Sequence, residues 1–212
     1  MNNAHYSISA EWAHDAESAC EIGARIPPPP MLKRLEPLAP AMRNCLLLDM
    51  VDSEYSPVAE VASEMTEFVE RNVVTDDEDE PSPEDGYCVP IMGSQEPTEC
   101  GHSGAIDISI TAGSTWSNHF DFQIGDSRLH PNDFSLITYP IFRGAIEALA
   151  ASWPCPWAIA CAYGRDMPRA GGHPKRRPSP FDIAWIGCLS APRAVGLTAP
   201  SEVRIDARPA AA

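Results

Sequence analysis

Basic residues are scarce in this chain. Only 15 Lys and Arg stand against 30 Asp and Glu, a formal charge of -15 over 212 residues. A nucleic-acid binder needs a basic surface to displace counterions, and docking on an anionic membrane needs the same, so neither partner is expected. No apolar run is long enough to span a bilayer. Nothing at the N-terminus reads as a signal peptide, because Asn2, Asn3, His5 and Ser7 interrupt any apolar stretch, and a cytoplasmic location is expected. Motifs with a known catalytic mechanism are missing as well. There is no GxSxG, no phosphate loop, no GxGxxG after a strand and no His-x-x-x-His pair. The 7 cysteines are odd in number and none sits in a CxxC. Cys100-Gly101-His102 and the Cys155 to Cys161 spacing do not match structural zinc sites. Reduced, mostly buried thiols are expected, with no metal and no other cofactor.

What is present suits one folded domain. Apolar residues make up 44% and aromatics 8%, enough for a core. The 22 prolines predict many turns and no long helical rod. The domain is expected over residues 1–200, with an acidic loop at 75–86, a Gly, Pro and Arg-rich excursion at 164–180 and a flexible tail at 201–212.

Tyr6, Ile8, Ala10 and Trp12 alternate with polar residues, the period of a half-exposed strand. Asp15 is placed to cap a short helix over Ala16–Ala24. Pro27–Pro30 read as a stiff spacer, with Pro30 opening a second short helix. Ser56-Pro57 reads as a helix start. Val58, Val61, Ala62, Met65, Phe68 and Val69 then form one apolar stripe, and Glu60, Glu64, Glu67 and Glu70 the opposite face. Glu67–Arg71 is the favourable pair at helical spacing.

Asp76-Asp77-Glu78-Asp79-Glu80 follows, too charged to pack. From Asp52 to Glu99 Arg71 is the one base among many acids, while Arg165, Arg169, Lys175, Arg176 and Arg177 make the C-terminal part basic. The chain is electrically polarised. Further on, Ile106, Ile108 and Ile110, then Phe120, Phe122 and Ile124, alternate with polar residues across a turn and predict an antiparallel hairpin. Pro140 opens a helix with Phe142, Ala145, Ile146, Leu149 and Ala150 on one face. Trp157, Ile159, Cys161 and Tyr163 predict a fourth strand; Phe181, Ile183 and Trp185 predict a fifth. The fold class is α+β, a mainly antiparallel sheet of about five strands with helices packed on one face.

His119 and Asp121 share one side of a strand, a pairing that a small hydrolase could use. Polar residues also simply populate the wet face of a hairpin, and nothing else supports catalysis, so no enzyme is expected. Trp12, Trp153, Trp157 and Trp185 read as core. Concentrated negative charge points instead to a binding protein for a basic partner, against plain solubility as the bland alternative. The residues expected to carry that contact are Glu60, Glu64, Glu67, Asp76, Asp77, Glu78, Asp79 and Glu80.

Five stretches in order resemble the Immunity protein 52 family of bacterial polymorphic toxin systems. They are Ile8–Trp12 with Glu17-Ser18; Asp76-Asp77 leading to Gly86-Tyr87; Asp107–Gly113 with Asn118; Leu136–Ala145 through Trp153 and Trp157-Ala158; and Phe181–Arg193. The resemblance implies an α+β immunity protein that binds and neutralises a cognate toxin encoded beside it. It implies a nuclease as the toxin, often delivered by a type VI secretion system. The long acidic loop, Lys175–Arg177 and the tail after Arg193 depart from the family pattern, and the family carries over no catalytic residues. Two other readings are a hydrolase using His119 and Asp121, and an acidic adaptor.

Overall fold

The computed structural model describes residues 4–12, 17–26, 30–37, 39–93, 106–116, 118–124, 136–153, 155–164 and 184–189. Its centre is one antiparallel sheet. The strands are β1 (Ala4–Trp12), β2 (Cys45–Asp49), β3 (Glu54–Pro57), β4 (Tyr87–Gly93), β5 (Ile106–Ala112), β6 (Asn118–Ile124), β7 (Trp157–Gly164) and β8 (Ala184–Leu189). They are ordered β3-β2-β4-β5-β6-β1-β7-β8. The helices are α1 (Ala19–Arg25), α2 (Pro30–Leu35), α3 (Val58–Val61), α4 (Met65–Arg71) and α5 (Tyr139–Ser152). The class is α+β, as expected, but the sheet has 8 strands, not about five. The three unforeseen strands are β2, β3 and β4.

Pro90 is what hid β4. A proline lacks the N–H that a central strand must donate. Here β4 pairs fully with β5 on one side, Pro90 standing opposite Ser109. On the other side its pairing with β2 runs only from Cys45–Gly93 to Leu47–Ile91. The ladder stops where Pro90 would have had to donate. One step further, the Cys88 N–H turns instead to the Asn72 carbonyl at 2.9 Å. Both edges of a proline-bearing inner strand are thereby satisfied.

Period two sorts the side chains. Ile8, Ala10 and Trp12 of β1, Phe120, Phe122 and Ile124 of β6, Ile106, Ile108 and Ile110 of β5, and Val89 and Ile91 of β4 are all buried in one cluster with the helices' apolar residues. Phe142 of α5 meets Phe122 edge-on at 5.9 Å. Trp153, just after α5, packs on Trp12 at 4.9 Å. On β7 the alanines face this core: Ala158 and Ala160 stand opposite Ala10 and Ile8. Small side chains there let α5 lie close to the sheet. Ile159 points the other way and is also buried. On β8, Cys188 and Ile186 stand opposite Ala158 and Ala160, and the register shifts just beyond, between Ala160 and Cys161. Of the residues expected to alternate in this strand, Phe181 and Ile183, and the side chain of Trp185, lie outside the described residues.

Helix α1 starts later than expected. Its cap is Ser18, whose Oγ accepts from the Glu21 N–H at 3.3 Å while the Glu21 carboxylate accepts from the Ser18 N–H at 2.8 Å. These reciprocal bonds form a capping box. They hold Glu21 below the usual carboxylate range. Asp15 lies outside the described residues. A Cβ on Gly23 would meet the Thr66 backbone at 3.3 Å, so glycine lets α1 and α4 approach backbone to backbone without a shift of either. The expected single helix after Pro57 is divided: α3 and α4 are separated by a 3-10 turn at Ala62–Glu64, and Pro57 itself ends β3. Among the described residues no helix is long and apolar enough to cross a membrane. The expected spacer at 27–29, the excursion at 165–180 and the tail at 201–212 lie outside the described residues.

Candidate functional site

The acidic segment folds into two distinct features. Glu60, Glu64, Glu67 and Glu70 line one open groove of about 510 Å³ together with Val61, Phe68 and Arg71. All four glutamates are exposed. Among the described residues no ion pair joins these glutamates to a base, although Arg71 lines the same groove and makes its own ion pair with Asp49. The expected Glu67–Arg71 pair is not formed. Arg71 reaches Asp49 at 3.1 Å instead. The reason is burial. Asp49 is 6% exposed, and a carboxylate out of water needs a counter-charge far more than a solvated Glu67 does. Its other oxygen, Oδ1, accepts from the Val51 N–H at 3.0 Å.

Asp76–Glu80 do not line that groove. They form the tip of an arm whose sides are joined by bridges Val73–Tyr87 and Thr75–Pro81. Although expected as a loop too charged to pack, the tip is an ordered turn. The Asp76 carboxylate accepts from the Glu78 and Glu80 N–H groups at 2.9 and 3.0 Å. The backbone N–H of Asp76 donates to the Glu80 carbonyl at 2.9 Å. Asp79 takes φ 61°, a left-handed conformation that aspartate tolerates better than most residues. Asp76 thus shapes the turn, and Asp77, Glu78, Asp79 and Glu80 stand exposed upon it.

The hydrolase candidates are on the other face of the sheet. Asp121 accepts from the Ser9 hydroxyl at 2.7 Å. His119, two residues along β6, stands opposite Glu11 and Thr111. Asp121 lines a groove of about 240 Å³ with Asp107, Ser109, Gln123 and Tyr55, and His119 is not part of it.

Among the described cysteines Cys20 is exposed, while Cys45, Cys88, Cys155 and Cys188 are wholly or partly buried. Burial pushes the Cys45 thiol up to about 12, with Glu36 adding to it. Cys155 is likewise pushed up to about 12 by burial, and Cys88 and Cys188 are raised for the same first reason. Among the described residues no three His, Cys, Asp or Glu groups converge as a metal site would require. Cys100 and His102, and the side chain of Cys161, lie outside them.

Two parts of this region were not foreseen. Asn72, 1% exposed, ties α4 to its surroundings. Its Oδ1 accepts from the Met50 N–H at 2.8 Å and its Nδ2 donates to the Phe68 carbonyl at 2.8 Å. Trp116 is 69% exposed on the β5–β6 turn.

No family model and no curated protein matches the chain. One solved structure, Pseudomonas aeruginosa T6SS protein PA0821, is similar to 75% of the chain with a TM-score of 0.39 and 11% identity. The chain spans 40% of that protein's length. A likeness that slight carries no argument about function.

Proposed function

We propose that this chain is an immunity protein that binds and neutralises a cognate toxin, a nuclease effector of a polymorphic toxin or type VI secretion system, by stoichiometric inhibition in the cytoplasm and without activity of its own. The observation that carries the reading is the excess of carboxylates: Glu60, Glu64, Glu67 and Glu70 around a groove whose one base, Arg71, is paired with Asp49, with Asp77–Glu80 on an arm that follows in the chain. A nuclease presents a basic surface to its phosphate substrate, and an acidic inhibitor is steered to that surface. The five ordered stretches between Ile8 and Arg193 support the same reading.

Co-expression with the toxin gene beside it tests the function: growth should be restored by this chain and not by an unfolded variant. Binding kinetics test the surface. Reversing Glu60, Glu64, Glu67, Asp77, Glu78 and Glu80 to lysine, with Asp79 kept at its left-handed φ of 61°, should leave folding intact, since exposed substitutions usually matter by about 0.5 kcal/mol each. Association should slow and lose its salt dependence, because steering is screened over roughly 8 Å at physiological ionic strength. Unchanged on-rates at low salt would show that these carboxylates are only a solvated surface. Growth rescue also separates this reading from an acidic adaptor, which would not protect.

A further inference from the structure

Three large apolar side chains stand in water at one end of the sheet. Trp116 is 69% exposed, Val51 69% and Met50 53%. Leu47 pairs with Ile91, so the turn after Asp49 lies at the Tyr87 end of β4. Tyr87 pairs with Ala112, so the β5–β6 turn that carries Trp116 lies at the same end. The acidic arm joins the sheet there too, through the Val73–Tyr87 bridge.

Both turns are held rigidly while their apolar side chains stay out. Met50 is fixed by Asn72, and Val51 and Asp52 by Asp49. Thr115 donates through both its N–H and its hydroxyl to the Glu84 carbonyl, at 2.9 and 3.1 Å. The Trp116 N–H donates to Ser114 Oγ at 3.0 Å, and the Ser114 N–H to the buried Asn118 at 2.9 Å. A tryptophan held outward on a fixed backbone has little ordering entropy left to lose when a partner covers it. Tryptophan is also the residue type most enriched among binding hot spots.

We propose that this end of the sheet is the docking surface, with Trp116, Met50 and Val51 as apolar anchors around the acidic arm. The occupant it fits is a protein domain that offers an apolar cleft rimmed by Lys and Arg. Charge complementarity selects it: Asp52, Glu54, Glu84 and Asp77–Glu80 are exposed on the same turns and arm, and the one base between Asp52 and Glu99, Arg71, is bonded to Asp49. The same charge repels nucleic acid and anionic lipid. The inference rests on the proposed function, and it places the contact at the sheet end, away from the glutamate groove alone.

The test uses the full chain and, as probe, the product of the adjacent toxin gene with its catalytic residues inactivated. Trp116→Ala should weaken binding by at least about 30-fold and Met50→Ser with Val51→Ser by about 10-fold, with unchanged melting. Trp116→Arg should weaken it further by meeting the basic rim. Tyr139→Ala is the control. Its ring is also exposed, but it lies at the far end of α5, about 20 Å along the axis from Trp153. Binding that survives all the anchor variants overturns the inference and leaves the proposed function standing. Failure of the wild-type chain to bind the probe overturns both.

Discussion

Asn72 offers the sharpest check on how this structure holds itself together. Its side chain makes two bonds, to the Met50 N–H and the Phe68 carbonyl, both at 2.8 Å. Truncation in Asn72→Ala removes both. The Phe68 carbonyl keeps the Asn72 backbone N–H at 3.2 Å, so its loss is partial. The Met50 N–H loses its partner at a half-buried site where water can only partly replace it. One net hydrogen bond at about 1 kcal/mol and one poorly satisfied donor at about 1–2 kcal/mol predict a cost of about 2–3 kcal/mol. Asn72→Asp keeps the shape but sets a carboxylate oxygen where a donor faced the Phe68 carbonyl. Burial and that carbonyl both disfavour the ionised form, so the folded pKa should rise above the usual value of about 3.9. Between those two values the folded chain holds a proton that the unfolded chain releases, so stability falls as pH rises through the window. At the acidic end the protonated carboxyl can again donate to Phe68. Urea unfolding of wild type and both variants across pH measures this. An Asn72→Ala variant within about 0.5 kcal/mol of wild type, or an Asp variant that parallels wild type at every pH, would refute the argument.

Trp12→Ala and Trp153→Ala should each cost about 3–5 kcal/mol, read by thermal or urea melts. Phenylalanine at either position should cost much less, since neither indole N–H has a hydrogen-bond partner. Thiol labelling of the native chain near neutral pH, mapped by peptide mass, should modify the exposed Cys20 and spare Cys45 and Cys155. Both buried thiols keep their protons in the folded chain far above the unfolded value of about 8.5, so their contribution to stability is full below that value and is lost as pH rises toward 12.

Much of the sheet was legible because its core strands obey one rule. β1, β5 and β6 alternate strictly, and α5 shows proline at its start and a clear apolar face. β2 was not legible: Cys45-Leu-Leu-Leu-Asp49 has no alternation to read, although its burial alternates in the fold. β4 was masked by Pro90, whose missing donor is tolerated because the pairing of β4 with β2 stops beside it and the Asn72 carbonyl takes over at Cys88. Ser18 and Glu21 stand at the spacing of a capping box, a local signal that competes with Asp15 and is decided by where α1 packs. On β7 the bulky residues suggested the core face, but a helix lying close overhead selects the alanines.

The candidate site shows a different limit. Charge can be counted along a sequence, but a carboxylate's availability depends on what else claims it. Asp49 captures Arg71 because it is buried; Asp76 is turned onto its own backbone; Asp85 accepts from the Ser82 hydroxyl at 2.6 Å; Asp121 accepts from Ser9. Those engagements depend on strand register and turn geometry, which no local pattern encodes. Each one removes an acid from the pool that could meet a partner, and Asp49 takes the ion pair of Arg71, the one base lining the groove of Glu60, Glu64, Glu67 and Glu70. The same logic separates the tryptophans. Trp12 and Trp153 each follow an apolar periodicity into the core, where their rings meet at 4.9 Å. Trp116 belongs to no periodicity, because it sits in a turn only a few residues long, between two strands whose own side chains fill the core. The backbone bonds that pin this turn leave its ring in water, so its exposure follows from the hairpin and not from its hydrophobicity.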